Sequence, residues 1–164
     1  MADRPLVKIC GLQRREDVLL ADELGADFLG FILSAGFSRT LPLHKARSLV
    51  ENIQSSKVAV LVDENPAYSV TAAEEIRAAI LQLHGDESPA VIKELRNRGD
   101  WLIWKVIRAK SMDDIHRIVD ACGNLVDGFL VEGWKKGVIG GGGAKLDLDP
   151  RGIHEVLPAE TQFI

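Results

Sequence analysis

Cysteine is scarce in this chain, and its scarcity argues against several kinds of site. The 164 residues include two cysteines, Cys10 and Cys122, and neither belongs to a CxxC motif or to the cysteine–histidine spacing of a zinc site. We therefore expect neither a structural zinc ion nor a disulfide framework. No signal-peptide pattern follows Met1, and we expect a cytoplasmic protein with both thiols reduced.

Strong positive charge and long apolar runs are also missing. The chain has 20 Lys and Arg against 24 Asp and Glu, for a net charge of −4, and its basic residues do not form a stripe. This argues against nucleic acid and anionic membranes as partners. No apolar run approaches the roughly 20 residues that span a bilayer. A hydrophobic content of 46% is enough to build one core, so we predict a single domain over residues 1–164.

Short apolar segments rich in β-branched residues alternate with longer amphipathic ones along the whole chain. The predicted strands are Leu6–Ile9, Phe28–Leu33, Val58–Val62, Ala79–Leu83, Trp101–Ile107 and Leu125–Val131, with a seventh beginning at Gln162–Ile164. The predicted helices are Arg15–Leu24, Pro42–Ile53, Pro66–Arg77, Pro89–Asn97, one from Ser111 to Ala121, and a short one from Pro150. Strands recur at a spacing of roughly 20–25 residues, which is typical of βα units with right-handed crossovers.

Such a repeat forms either a closed barrel or an open doubly wound sheet. The close spacing, and the absence of GxGxxG after the first strand, favour the α/β fold of the (βα)8 TIM-barrel type. The sequence contains about six βα units and the start of strand seven, whereas a barrel needs eight strands. We therefore expect an incomplete barrel with open sheet edges, which invite pairing with a second copy in a homo-oligomer.

The carboxyl ends of parallel strands are where ligand sites lie in such folds, and the predicted strand ends carry reactive or charged groups. These groups are Cys10, Ser34, Ser38, Arg39, Asp63, Glu64, His84, Asp86, Lys105, Arg108, Glu132 and Asp147, with the glycine run Gly140–Gly143 in the last loop. The glycine run lets backbone amides approach an anion, or it is a simple linker.

Each group also has a purely structural interpretation. Cys10 can be a small packed side chain, and Arg39 can form a surface ion pair. His84 can be a structural histidine, and Glu132 a solvated acid. Lys105 is the one lysine here that fits a Schiff-base aldolase, and its alternative roles are packing and anion binding.

Several motifs, taken together and in order, resemble the phosphoribosylanthranilate isomerase family of tryptophan biosynthesis. The matching segments are Lys8–Leu12, Glu16-Asp17, Gly25–Ile32, Ser38-Arg39, Val60–Asp63, Gln82–Glu87, Val126–Leu130 and Gly140–Asp147. The combination is specific and extends over essentially the whole chain.

The resemblance implies a cofactor-free (βα)8 barrel that converts a phosphorylated ribosylamine into an aminoketose by an Amadori rearrangement. It implies that Cys10 is the general base and Glu132 the general acid. It further implies that Arg39 binds the anthranilate carboxylate, and that His84, Gly140, Gly141, Gly143 and Asp147 contribute to substrate binding. The two catalytic groups would remove a carbon-bound proton and deliver one to the ring oxygen.

Two departures from the family pattern affect the expected activity. Glu132 stands where the family has aspartate, and the extra methylene moves the carboxyl group by roughly an ångström, which can cost about 10²-fold in rate. The chain also ends at Ile164, before the two last loops that form most of the family's phosphate site. We therefore expect a weak or inactive isomerase, and the alternative is a non-catalytic partial barrel that acts in assembly or binding.

Overall fold

The computed structural model describes residues 4–134 and 145–164. Contacts group the chain into two compact units, Met1–Leu81 and Gln82–Ile164, and each unit is described by itself below. The single domain predicted from the sequence stays a prediction. Within the described residues, no helix is long and apolar enough to cross a membrane.

The first unit alternates strands and helices from its beginning. Its elements are β1 (Lys8–Cys10), α1 (Arg15–Glu23), β2 (Phe28–Ile32), α2 (Leu43–Leu49), β3 (Ser56–Leu61) and α3 (Pro66–Ile76). The strands are parallel neighbours in the order β1-β2-β3. Because side chains alternate between the two faces of a strand, Lys8 and Cys10 lie on the same face of β1. In the register of the two strands, Lys8 is paired with Phe28 and Cys10 with Gly30.

The core of the first unit lies between its strands and helices. Leu29 and Phe31 of β2 are fully buried, as are Val18 of α1 and Ala46 of α2. Near-continuous burial of β2 and β3 is typical of parallel strands covered by helices. This packing holds the carboxyl ends of the strands in register, where the reactive groups follow.

The second unit begins within strand β4 and repeats the same βα pattern. Its elements are β4 (Ile80–Leu83), α4 (Pro89–Arg96), β5 (Leu102–Ala109), α5 (Met112–Cys122), β6 (Gly128–Gly133), α6 (Pro150–Val156) and β7 (Gln162–Phe163). Strands β5, β6 and β7 are parallel neighbours in that order. The register pairs Arg108 with Glu132, so both lie at the carboxyl ends of their strands.

Polar side chains cap the beginnings of helices α3 and α5. Asn65 accepts a hydrogen bond from the Tyr68 N–H at the start of α3, at 2.9 Å. Ser111 and Asp114 form a reciprocal capping box at the start of α5. The hydrogen bonds from the Lys110 and Ser111 N–H groups lower the pKa of Asp114, against the opposing effect of its partial burial.

Two predicted boundaries differ from the structure by three or more residues. Helix α2 ends at Leu49 rather than near Ile53, because the chain turns there and Asn52 adopts a left-handed conformation with φ 58°. Strand β6 begins at Gly128 rather than Leu125, since Asp127 accepts hydrogen bonds from Arg96 and the Ile103 N–H just before it. Both errors arose because apolar residues continue beyond the regular element.

Candidate active site

Cys10 is the last residue of β1, and its thiol lies above a glycine of the neighbouring strand. A Cβ atom on Gly30 would come within 2.8 Å of Cys10 Sγ and 3.2 Å of Lys8 Nζ. The Cys10 thiol and the Lys8 ammonium group therefore both lie next to the position of that Cβ atom, so a residue larger than glycine would clash with the thiol. Cys10 is a free, partly exposed cysteine.

Arg39 reaches the same strand end from the loop after β2. Its Nη1 donates a hydrogen bond to the Cys10 carbonyl oxygen at 2.8 Å. The guanidinium occupies the space where a Cβ on Gly11 would lie, with Cζ 2.6 Å from that position. Gly11 also has φ 79°, in the region that favours glycine. A guanidinium has five N–H donors, so Arg39 can hold the backbone and still bind a carboxylate.

The loop that carries Arg39 is held by hydrogen bonds to its neighbours. Ser34, which is buried, accepts a hydrogen bond from the Val62 N–H at 2.8 Å. The Tyr68 hydroxyl donates to the Leu33 carbonyl at 2.6 Å. Thr40 Oγ1 donates to the Ser34 carbonyl, also at 2.6 Å. Of the strand-end groups predicted here, Ser34 therefore supports the loop structurally.

In the second unit, His84 and Glu132 are brought together by β4 and β6. His84 Nε2 lies 3.0 Å from Glu132 Oε1, and Gln82 Nε2 lies 2.9 Å from His84 Nδ1. The His84 side chain is 11% exposed and the Glu132 side chain 26% exposed. Glu132 is therefore the more accessible member of the pair, and His84 lies behind it with Gln82.

Lys105 and Glu87 hold the loop that follows His84. Lys105 Nζ lies 2.9 Å from Glu87 Oε2 and donates to the Gly85 carbonyl at 2.7 Å. Glu87 Oε1 in turn accepts from the Gly85 N–H at 2.9 Å. Both side chains are buried, at 6% and 2% exposure. An ammonium group paired in this way supports packing as the role of Lys105, rather than a Schiff base.

The four predicted substrate-binding residues after β6 lie apart from the pairs described above or outside the described residues. Asp147 is exposed, 3.7 Å from Lys145, and is not grouped with the pairs above. Gly140, Gly141 and Gly143 lie outside the described residues.

Sequence reasoning missed the supporting roles of Gln82 and Glu87, although both belong to the segment that carries the resemblance. The signal was present in Gln82, a polar residue two positions before His84 in an apolar strand. Residues two apart in a strand share a face, so this spacing predicts a contact with the imidazole.

The second cysteine lies in a different kind of environment from Cys10. Cys122 is buried at the end of α5, and its thiol donates to the Ile118 carbonyl at 3.0 Å. Burial raises the pKa of this thiol, against the opposing charge of Lys105. A raised pKa disfavours the thiolate, so Cys122 is a packing residue.

Parallel βα units with reactive groups after the strands define the class of protein as an α/β enzyme fold of the (βα)8-barrel type. This confirms the fold class predicted from the sequence. The family model for N-(5'-phosphoribosyl)anthranilate (PRA) isomerase matches residues 7–163. The chain belongs to the PRA isomerase family.

Relatives in bacteria have the same family name. The N-(5'-phosphoribosyl)anthranilate isomerase of Caldanaerobacter subterraneus is 34% identical over 143 residues, which cover 86% of this chain and 67% of that protein. The enzyme of the same name from Bacillus subtilis is 32% identical, over 85% of this chain and 65% of that protein. The chain thus spans about two thirds of the length of these relatives.

Solved structures agree with the sequence comparison. Phosphoribosyl anthranilate isomerase from Thermus thermophilus matches with a TM-score of 0.70 and 29% identity, over 81% of this chain and 64% of that one. The enzyme from Thermotoga maritima matches with a TM-score of 0.73 and 25% identity, over 81% and 63% of the two chains.

Proposed function

We propose that this chain catalyses the isomerisation of N-(5'-phosphoribosyl)anthranilate in tryptophan biosynthesis. The observation that carries the proposal is the Cys10 thiol at the carboxyl end of β1, next to the Lys8 ammonium, in a chain that the family model matches from residue 7. The substrate is a phosphorylated small molecule.

The reaction begins with two proton transfers, and we assign the first to Glu132 and the second to Cys10. Glu132 delivers a proton to the ring oxygen of the ribosylamine, the bond from that oxygen to the amine-bearing carbon breaks, and the nitrogen lone pair forms a C=N bond. Cys10 thiolate then removes the proton from the adjacent carbon, and the electron pair moves to give an enolamine. The amine-bearing carbon then takes up a proton while the enol hydroxyl loses one, which converts the enolamine to the aminoketose.

The remaining groups bind or orient in this proposal. Arg39 pairs with the anthranilate carboxylate, since a guanidinium presents two parallel N–H groups to such a group. The glycines Gly140, Gly141 and Gly143, together with Asp147, stay predictions as substrate-binding residues.

Turnover of N-(5'-phosphoribosyl)anthranilate, followed by the loss of its anthranilate-type fluorescence, tests the proposal. We expect measurable turnover by the wild-type chain and a loss of about 10²-fold or more in Glu132→Gln, which keeps the shape of the side chain but has no acidic proton. Absence of turnover in the wild-type chain, or full activity in Glu132→Gln, would overturn the assignment.

The alternative of a non-catalytic assembly or binding module has less support. In that case, the contact between Arg39 and Cys10 and the contact between His84 and Glu132 would have no catalytic role. The same turnover experiment separates the two functions, because an assembly module would not convert the substrate.

A homo-oligomer and a cytoplasmic location complete the proposal. The face formed by β1 and α1 exposes the apolar side chains of Val7, Ile9, Leu20 and Leu24. A second copy of this chain could cover such a face, because a strand edge pairs readily with another strand. Light scattering would test this: we expect a dimer or larger species that Ile9→Lys dissociates, and a wild-type monomer would refute it.

A further inference from the structure

A chain of hydrogen bonds links the buried amide of Gln82 to the carboxyl group of Glu132. Gln82 is 1% exposed within β4, and its amide nitrogen lies 2.9 Å from His84 Nδ1. His84 Nε2 lies 3.0 Å from Glu132 Oε1. Three side chains are thus connected in series, and the most exposed of them is the proposed general acid.

The chemistry of the amide determines which nitrogen of His84 carries the proton. An amide NH₂ group can only donate, so His84 Nδ1 must accept and has no proton. A neutral imidazole has one N–H, which therefore lies on Nε2 and donates to Glu132 Oε1. The reverse orientation of the amide would require a proton on Nδ1, and in a neutral imidazole it would leave the Nε2 lone pair facing a carboxylate oxygen.

We propose that Gln82 is a positioning residue that acts through His84 to direct the acidic proton of Glu132. Because Oε1 accepts the Nε2–H bond, a proton that binds to Glu132 is held on Oε2, the oxygen not bonded to His84. That oxygen is then the proton donor to the substrate. Only the last step, proton donation to the substrate, rests on the proposed function. The inference assigns His84 to orientation of Glu132 rather than to substrate binding.

The burial of the Gln82 amide supports the positioning role, because it lowers the stability of the fold and an apolar residue would not. Among the described residues, Gln82 Oε1 is buried without a hydrogen-bond partner. Burying an unpaired carbonyl is unfavourable, and a methionine of similar length would not incur the penalty. The bond to His84 is therefore the polar interaction that the amide contributes.

Nitrogen-15 NMR of the imidazole rings tests the proton positions directly and does not require activity. The His84 signals are assigned by their disappearance in His84→Asn. We expect the wild-type protein to carry the proton of neutral His84 on Nε2. In Gln82→Glu, the new carboxylate can only accept, so the proton should move to Nδ1 or both nitrogens should be protonated. A proton on Nδ1 in the wild type would overturn the inference.

Kinetics of Gln82→Met provide the second readout, in a variant that buries no new charge. We expect kcat to fall about tenfold with little change in KM, because the acid loses its orientation while substrate binding is kept. Gln54→Met is the matched control, since Gln54 is exposed, and its kcat should not change. An unchanged kcat in Gln82→Met, or a change confined to KM, would overturn the positioning role.

The two readouts also separate this inference from the proposed function. A wild-type chain without turnover would refute the isomerase proposal, whereas the NMR signals of wild type and Gln82→Glu would still decide whether Gln82 sets the His84 tautomer. If turnover is present but His84 carries its proton on Nδ1, the isomerase proposal stands and the positioning inference fails.

Discussion

The two units of this chain hold their proposed catalytic groups by different means. In the first unit, the backbone places the thiol. Cys10 is the last residue of β1, and Gly30, its partner in β2, has no side chain that would displace the thiol. In the second unit, side chains place the carboxyl group: Glu132 is oriented by His84. Backbone register is rigid, whereas side-chain orientation can be lost through one substitution, so the two units should respond differently to mutation.

The largest expected effect is the loss of the base. Cys10→Ser should lower kcat/KM by about 10²–10⁴-fold, since a hydroxyl group is a far weaker acid than a thiol and is not ionised near neutral pH. Cys122→Ser is the matched control: a hydroxyl there can still donate to the Ile118 carbonyl. The fluorescence assay measures both. Equal activity in the two variants would remove Cys10 from the chemistry.

Shortening the acid tests the side-chain placement in the second unit. Glu132→Asp should lower kcat by about tenfold, because the carboxyl group withdraws by roughly an ångström and loses the hydrogen bond from His84. The family resemblance predicts aspartate at this position, so the variant also tests whether the chain depends on its longer side chain. Steady-state kinetics measure the change, and a rise in kcat would mean that glutamate itself misplaces the acid.

A methyl group on Gly30 tests the backbone placement in the first unit. Gly30→Ala would place Cβ 2.8 Å from Cys10 Sγ, so the thiol must move, and kcat should fall by about tenfold. Gly152→Ala adds the same group in α6, where no atom outside the adjoining chain lies within 4 Å, and should keep full activity. If both variants have wild-type rates, the position of the thiol is not as restricted as the register implies.

The smallest expected effect is on stability in acid. Asp22 accepts hydrogen bonds from the Ser55 hydroxyl and from the Ser55 and Gln54 N–H groups. Its partial burial acts to raise the pKa of this carboxyl, but the hydrogen bonds outweigh it and hold the pKa below its usual range. The carboxylate thus stabilises the fold above the unfolded-state pKa, about 3.9, and the contribution is lost as pH falls through the lower, folded-state value.

Urea unfolding at several pH values would measure this contribution. Asp22→Asn should reduce the free energy of unfolding by about 1 kcal/mol at neutral pH, with a smaller loss on acidification than in the wild type. Asp113→Asn removes one negative charge from an exposed position and serves as the control. An equal acid response in wild type and Asp22→Asn would exclude Asp22 as the source.

The different means of placement also explain how much could be predicted from the sequence. The order of strands and helices, and the position of Cys10 at the end of β1, follow from apolar runs, glycines and capping residues. The Asn65 and Ser111 caps were predictable because their bonds are local. By contrast, the bond from His84 to Glu132 joins residues 48 positions apart, which no local pattern reveals.

The position of a polar residue at a strand end also does not show whether its role is functional or structural. Lys105 stood among the predicted strand-end groups, but it is buried against Glu87 in the structure. Ser34 was predicted there as well, and it holds a loop. Burial and pairing decide such cases, and both depend on tertiary contacts that a single sequence does not contain.

The proposed roles of Cys10 and Glu132 are best tested by measuring turnover of N-(5'-phosphoribosyl)anthranilate side by side in the wild-type chain, Cys10→Ser and Glu132→Gln. We expect turnover by the wild type and its loss in both variants, because Cys10 is the proposed base and Glu132 the proposed acid. A wild-type chain without turnover, or either variant with full activity, would contradict it.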